Sequence, residues 1–127
     1  MDTIDLTRAL VSFQTINPPG NERECAVYIA RILEEAGFRV NLVDFDQART
    51  SLIADIGAQH TPPICFTGHI DTVPLGAVQW SRNPFGGEID GDRIYGRGSS
   101  DMKGGLAAMI VSALTLAHRY PGKVALK

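Results

Sequence analysis

The stretch Ile64-Cys65-Phe66-Thr67-Gly68-His69-Ile70-Asp71-Thr72-Val73-Pro74 constrains this chain more than any other, because an apolar run abruptly turns polar at its end. A run of that kind reads as a buried strand that delivers His69 and Asp71 at its carboxyl end, where open α/β sheets place their chemistry. Side chains of extended backbone alternate with period two, so His69 and Asp71 are expected on one side, the carboxylate placed to hold the imidazole. The answering stretch is Gly96-Arg97-Gly98-Ser99-Ser100-Asp101-Met102-Lys103-Gly104-Gly105.

The elements around these two stretches alternate in type. A short helix is expected from about Thr3 to Phe13, carrying Ile4, Leu10, Val11 and Phe13, and it ends before Asn17-Pro18-Pro19-Gly20, where two prolines remove backbone donors. Asn21 followed by Glu24 reads as a capping-box variant. Tyr28, Ile29, Ile32, Leu33 and Ala36 then lie along one helix face before Gly37 supplies the stop. Phe38, Val40 and Leu42 alternate with polar residues, and Ser51 to Ile56 forms a second strand, so the strand before His69 is the third. After an irregular stretch with Trp80, Pro84 and Phe85, the Asp90-Gly91 pair between short apolar pieces predicts a β-hairpin. From Met102 the recurrence of Leu106, Ile110 and Leu114 predicts a long helix to about Tyr120, and Lys123 to Lys127 opens another strand.

With 127 residues and 44% hydrophobic content, the chain has the size and composition of one ordinary domain. Its 12 basic and 14 acidic residues, net −2, form no long run of either sign, so neither nucleic acid nor membrane is the expected partner and a small polar substrate is. The acidic start and the lack of an apolar stretch near the roughly 20 residues of a membrane span lead us to expect a cytoplasmic protein. Cys25 and Cys65 have no metal-ligand spacing and are expected to be free core thiols. His60, beside a Thr-Pro-Pro turn, and His118, near a helix end, are expected to be solvated or structural, and Trp80 to pack a loop.

The polar features each have a plain structural reading beside the chemical one. His69 and Asp71 also fit a core histidine satisfied by its neighbour, and Asp101 also fits an N-cap, where a carboxylate accepts from free backbone N–H groups. The glycines do not form a phosphate cradle: Asp101 stands where G-x-G-x-x-G has its third glycine, and Lys103 lacks the G-K-[ST] ending of a P-loop. Together the three side chains suit a metal site. A catalytic zinc takes neutral imidazole and carboxylate ligands, and two adjacent ions need an anionic group between them. His69 as terminal ligand, Asp71 holding its ring and Asp101 as bridge fill three of those roles.

The ordered series Thr15-Ile16-Asn17-Pro18-Pro19-Gly20, Gly68-His69-Ile70-Asp71-Thr72-Val73-Pro74, Trp80 with Pro84-Phe85, and Gly96 to Gly105 resembles the amino-terminal part of an M20-family metallopeptidase. That family includes acetylornithine deacetylase, succinyl-diaminopimelate desuccinylase, aminoacylase and the carboxypeptidase G type. The resemblance covers essentially the whole chain. It implies an α/β fold, a three-layer α/β/α sandwich around a mixed sheet, of which residues 1–127 are the amino-terminal portion of a di-zinc exopeptidase-like catalytic domain. It implies that His69 binds one zinc, that Asp101 bridges two, with cobalt as an alternative ion, that Asp71 is the catalytic orienting residue, and that the Asp101–Met102 peptide is cis. The implied reaction is hydrolysis of the amide bond of an N-acyl amino acid or small peptide, by a dipeptidase or carboxypeptidase of the family in the alternative.

Members of the family run to several hundred residues and carry, beyond the point matched by Lys127, a Glu-Glu pair, further ligands and a lid domain through which the parent is expected to dimerise. The 127-residue chain alone is therefore expected to bind zinc weakly, to turn over little or nothing, and to self-associate through an exposed sheet edge. The competing function class is a noncatalytic binding module that has kept the fold.

Overall fold

The computed structural model describes residues 2–57 and 62–127, and the expectation for His60 lies outside the described residues. Helix α1, Thr3–Ser12, is capped by Asp2, whose side chain accepts from the Asp5 N–H at 2.8 Å. Its buried stripe is Leu6, Leu10 and Val11, while Ile4 turns outward. Helix α2, Arg23–Glu35, buries Cys25, Ala26, Ile29, Ala30 and Leu33; Tyr28 and Ile32 are half-buried, and Ala36 is exposed.

The expected capping box at Asn21 does not form. Glu22 occupies the N-cap position without a side-chain capping bond, and its buried carboxylate takes a two-pronged pair from the Arg49 guanidinium, with Nη2 to Oε1 at 2.7 Å. A charge-assisted fork outcompetes a capping bond to a neutral N–H. The far end of α2 behaves as expected. Gly37, at φ +89°, donates to Glu34 O at 2.9 Å while Phe38 donates to Leu33 O at 3.0 Å, and Leu33 and Phe38 join the core across that turn.

Strands β1, Arg39–Asp46, and β2, Arg49–Asp55, form an antiparallel hairpin with Val40 opposite Ala54 and Leu42 opposite Leu52. Val40, Leu52 and Ala54 pack toward the core, whereas Val43, Phe45 and Ile53 on the other face are exposed. The second hairpin, β3 Glu88–Asp90 with β4 Arg93–Tyr95, turns over Gly91-Asp92 as expected. Arg82 staples it, reaching Glu88 at 2.5 Å and Asp90 at 2.6 Å with its guanidinium over the Tyr95 ring.

The regular strand expected before His69 is not found. Among the described residues Ile64 to Thr72 carry only isolated bridges: Ile64 pairs in parallel with Leu126 and Thr72 in parallel with Ile16. The physical reason lies in the neighbours. The segment carrying Ile16 leaves into two consecutive prolines, and Ala125 to Lys127 reaches only Ile64 and Phe66, so no ladder runs along its whole length. Cys65 is consequently exposed, against expectation, while Cys25 is buried as expected; both are free. The strand expected over Lys123 to Lys127 is likewise reduced to pairings of Leu126 with Ile56 and Ile64.

Helix α3, Gly104–Arg119, follows a wide turn over Ser99–Lys103 and begins after Met102, because Asp101 and Met102 have non-helical dihedrals. Its Ala107, Ile110 and Ala113 meet Leu6 and Leu10 of α1, Cys25, Ile29 and Leu33 of α2, and Leu126 in one core. The α/β expectation holds, with antiparallel and parallel pairing both present. Among the described residues no helix is long and apolar enough to cross a membrane.

Candidate metal centre

Three loops meet where α1, α2 and α3 begin or end. The first, Phe13 to Asn17, follows α1; the second is Gly68 to Val73; the third is the turn that leads into α3. Backbone bonds tie the first to the second: Asn17 N–H donates to Thr72 O and Thr72 N–H to Thr15 O, both at 2.8 Å. The buried Thr15 hydroxyl adds a bond to Ile70 O at 2.7 Å. The third loop is anchored by Lys103. Its side chain is only 1% exposed, and Nζ donates to Phe13 O at 2.7 Å. Burial pushes the Lys103 amine below its usual range, against the pull of Cys25, so this group is a rigid internal strut and not a surface charge.

Gly98 is what allows the loops to close. It sits at φ +84°, and a Cβ there would stand 2.6 Å from Thr72 Cγ2, so any side chain would push the third loop off the second. Beyond it the Asp101–Met102 peptide is cis, as the resemblance implied. The two residues face the second loop together. Met102 Sδ receives the His69 N–H at 3.4 Å and its methyl lies beneath Gly68, while Asp101 Oδ1 meets His69 Nε2 at 2.9 Å.

The structure therefore brings His69, Asp71 and Asp101 together. His69 Nδ1 lies 3.0 Å from the Asp71 carbonyl oxygen and 3.2 Å from Asp71 Oδ1, so both of its partners are acceptors. With both acceptors on Nδ1 a proton is held there, so the 2.9 Å contact of Nε2 with Asp101 Oδ1 is a donor bond of the protonated ring, and once that proton is lost the Nε2 lone pair faces Asp101. Partial desolvation opposes the imidazolium, yet the hydrogen bonds to Asp101 and to the Asp71 backbone, with both carboxylate charges, raise the His69 pKa above its ordinary value. The N-cap alternative for Asp101 fails: Lys103 is the N-cap residue of α3, no side chain caps it, and the Asp101 side chain is 86% exposed and turned to His69.

Sequence reasoning gave Asn17 no part in the site, although it stands in the Thr15–Gly20 series that carries the family resemblance. Its Nδ2 donates to Asp71 Oδ2 at 2.9 Å. It also lines, with His69, Asp71, Thr72, Arg97 and Asp101, a cleft of about 390 Å³. Trp80 packs a loop as expected: its Nε1 donates to Leu75 O at 3.0 Å, and Arg97 lies over its ring while donating to Pro74 O at 3.0 Å. His118 is exposed in the last turn of α3, away from the cleft.

The donors suit a metal ion. An imidazole nitrogen and a carboxylate oxygen meet head to head, and a shared cation could take the place of the proton between them without turning either group. They supply two ligands; among the described residues no group of three or more His, Cys, Asp or Glu is arranged to hold a metal.

Comparison with known proteins matches this geometry. The sequence pattern of Peptidase family M20/M25/M40 matches residues 65–126, which include the loops that carry His69 and Asp101. The chain belongs to the M20 peptidase family. Succinyl-diaminopimelate desuccinylase of Wolbachia pipientis wMel is 37% identical over 117 residues, an alignment covering 91% of this M20 chain and 29% of the relative. The enzyme of the same name from Acinetobacter baylyi is 36% identical over 121 residues, covering 94% and 31%. The M20 chain thus spans under a third of the length of these relatives. An M20 family metallo-carboxypeptidase from Sulfolobus solfataricus superposes with a TM-score of 0.84 at 27% identity, over 99% of this chain and 30% of that one. Human carnosine dipeptidase 1 superposes at 0.79 with 22% identity, which shows a shared fold.

Proposed function

We propose that residues 1–127 are the amino-terminal portion of the catalytic domain of a zinc-dependent amidohydrolase that cleaves N-acyl amino acids, a desuccinylase or deacetylase. The observation that carries this reading is His69, held at Nδ1 by Asp71 and opposed at Nε2 by Asp101 at 2.9 Å. The identities of 36% and 37% to succinyl-diaminopimelate desuccinylases support the substrate class.

In this reading His69 and Asp101 would hold zinc, the Asp101 carboxylate serving as the shared ligand, and Asp71 would keep a proton on Nδ1 so that Nε2 is the nitrogen left to bind. The bound metal would supply Lewis-acid polarisation of the scissile carbonyl and a nucleophile at neutral pH. Arg97 lines the cleft beside His69, Asp71 and Asp101.

Zinc titration by calorimetry of this chain and of His69→Ala and Asp101→Ala tests the reading. Weak binding lost in both variants is expected; binding indifferent to both would overturn it. For the substrate, the full-length protein should release succinate from succinyl-diaminopimelate or acetate from acetylornithine; release from dipeptides alone would move the reading to the peptidases of the family.

A further inference from the structure

The loop Phe13 to Asn17 touches both ligand-bearing loops and contributes one side chain to the cleft, Asn17. Three features of its contact with Asp71 bear on function. The first is chemical direction. An ionised carboxylate only accepts hydrogen bonds, so the Asn17 group 2.9 Å from Oδ2 is its NH2, and the contact is a directed donor bond. The second is division of labour on Asp71: its carbonyl oxygen takes His69 Nδ1 at 3.0 Å, Oδ1 stands 3.2 Å from the same nitrogen as a charge contact, and Oδ2 is taken by Asn17. Bonded at Oδ2 and drawn to the imidazole at Oδ1, the carboxylate has its rotation about Cβ–Cγ set by Asn17. The third is that Asn17 is itself held. Its N–H bonds to Thr72 O, one residue beyond Asp71, and the Ile16–Thr72 bridge sets the two backbones side by side. Asn17 therefore reaches Asp71 from a rigid neighbouring strand-like segment.

We propose that Asn17 is a positioning residue of the metal centre, orienting the Asp71 carboxylate and through it the His69 ring. The relay runs Asn17 NH2 to Asp71 Oδ2, Asp71 Oδ1 to His69 Nδ1, and His69 Nε2 to the ligand position beside Asp101. The proposal rests on the reading of His69 and Asp101 as metal ligands. Asn17 itself touches no reacting atom. Partners that orient a ligating histidine typically contribute 10- to 100-fold in metal affinity, and Asn17 stands one bond further out, so its share is about 5- to 10-fold.

A double-mutant cycle on this chain tests it, with zinc affinity by calorimetry and the His69 ring tautomer by two-bond ¹H–¹⁵N correlation at pH 9 as readouts. Asn17→Ala is expected to weaken zinc about 5- to 10-fold and to raise the share of the Nε2–H tautomer, while in the Asp71→Ala background the same substitution changes affinity less than about 2-fold. An equal loss in both backgrounds would mean that Asn17 acts on the loop as a whole, and would overturn the relay. So would a wild-type affinity and tautomer ratio in Asn17→Ala. Where the unsubstituted chain binds no zinc, or binds it regardless of His69→Ala, the metal reading fails on its own, and the tautomer ratio alone then decides Asn17: unchanged, it overturns the proposal; shifted, it supports it. Should Asn17→Ala not fold by circular dichroism, Asn17→Leu, which keeps the volume and drops the donor, takes its place.

Discussion

The two halves of the segment Ile64 to Val73 sit in opposite circumstances. From His69 to Val73 it is bonded on both sides, by Thr15 and Asn17 across the backbone and by Asp101 and Met102 across the cleft. From Ile64 to Gly68 it is paired only with the residues around Leu126, and Ile64 and Cys65 are exposed. The exposed face of β1–β2, with Phe45 at 57% and Ile53 at 43%, belongs to the same unfinished side. At the site the closure of three loops gives His69, Asp71 and Asn17 their partners, although the buried Thr72 Oγ1 and Arg97 Nε find none among the described residues, whereas apolar strand faces need a further layer to cover them. The chemistry-bearing side is thus cross-linked between its loops where the sheet-bearing side is not.

The contrast is sharpest in the two thiols. Cys65 should react with a thiol reagent such as Ellman's at the rate of an open cysteine, while Cys25, fully buried with its pKa pushed up to about 11 by burial against the pull of Lys103, should wait for unfolding. With an unfolded fraction of about 10⁻³ or less, the rates should differ by roughly 10³ or more. Comparable rates would show that the core opens as readily as the sheet face.

Stability should divide along the same line. Lys103→Ala removes a buried stem and one of the two donors to Phe13 O, the other being the Thr15 N–H at 3.1 Å, so urea unfolding should show a loss of about 3 kcal/mol. Phe45→Ser, on the uncovered face, should change stability by less than about 0.5 kcal/mol and reduce self-association by light scattering. If the two losses were equal, the exposed face would be buried in solution.

The smallest effect concerns pH. The His69 pKa is raised in the fold above its ordinary 6.5, so its interactions with Asp101 and Asp71 stabilise the metal-free chain fully below 6.5. That contribution is lost as pH rises through the raised value. A slight fall in Tm across that window is expected, and His69→Ala should remove it; His69 is about half exposed, so the fall is small.

Much of this was legible in the residues themselves. The helix faces follow from apolar spacing, the stop at Gly37 from its positive φ, and the β3–β4 turn from a glycine between short apolar pieces. The neighbourhood of His69 and Asp71 follows from a period of two. Asn17 was not legible, because its partner is Asp71, remote in sequence, and nothing in the local pattern distinguishes its amide from that of Asn21. The Asn21 cap failed for a related reason: Arg49, equally remote in sequence, claims the Glu22 carboxylate and sets the start of α2.

What the sequence determined by itself was the inventory of elements and of chemistry, since helical period, proline breaks and a His-x-Asp spacing act through neighbouring residues. The tertiary structure decided whether the run before His69 became a strand, because pairing depends on what lies alongside. It also decided that Asp101 faces an imidazole and not a helix end, because Lys103 and Gly98 hold the turn against Phe13 and Thr72. Those contacts cross between loops far apart in the chain, where only packing sets the distance.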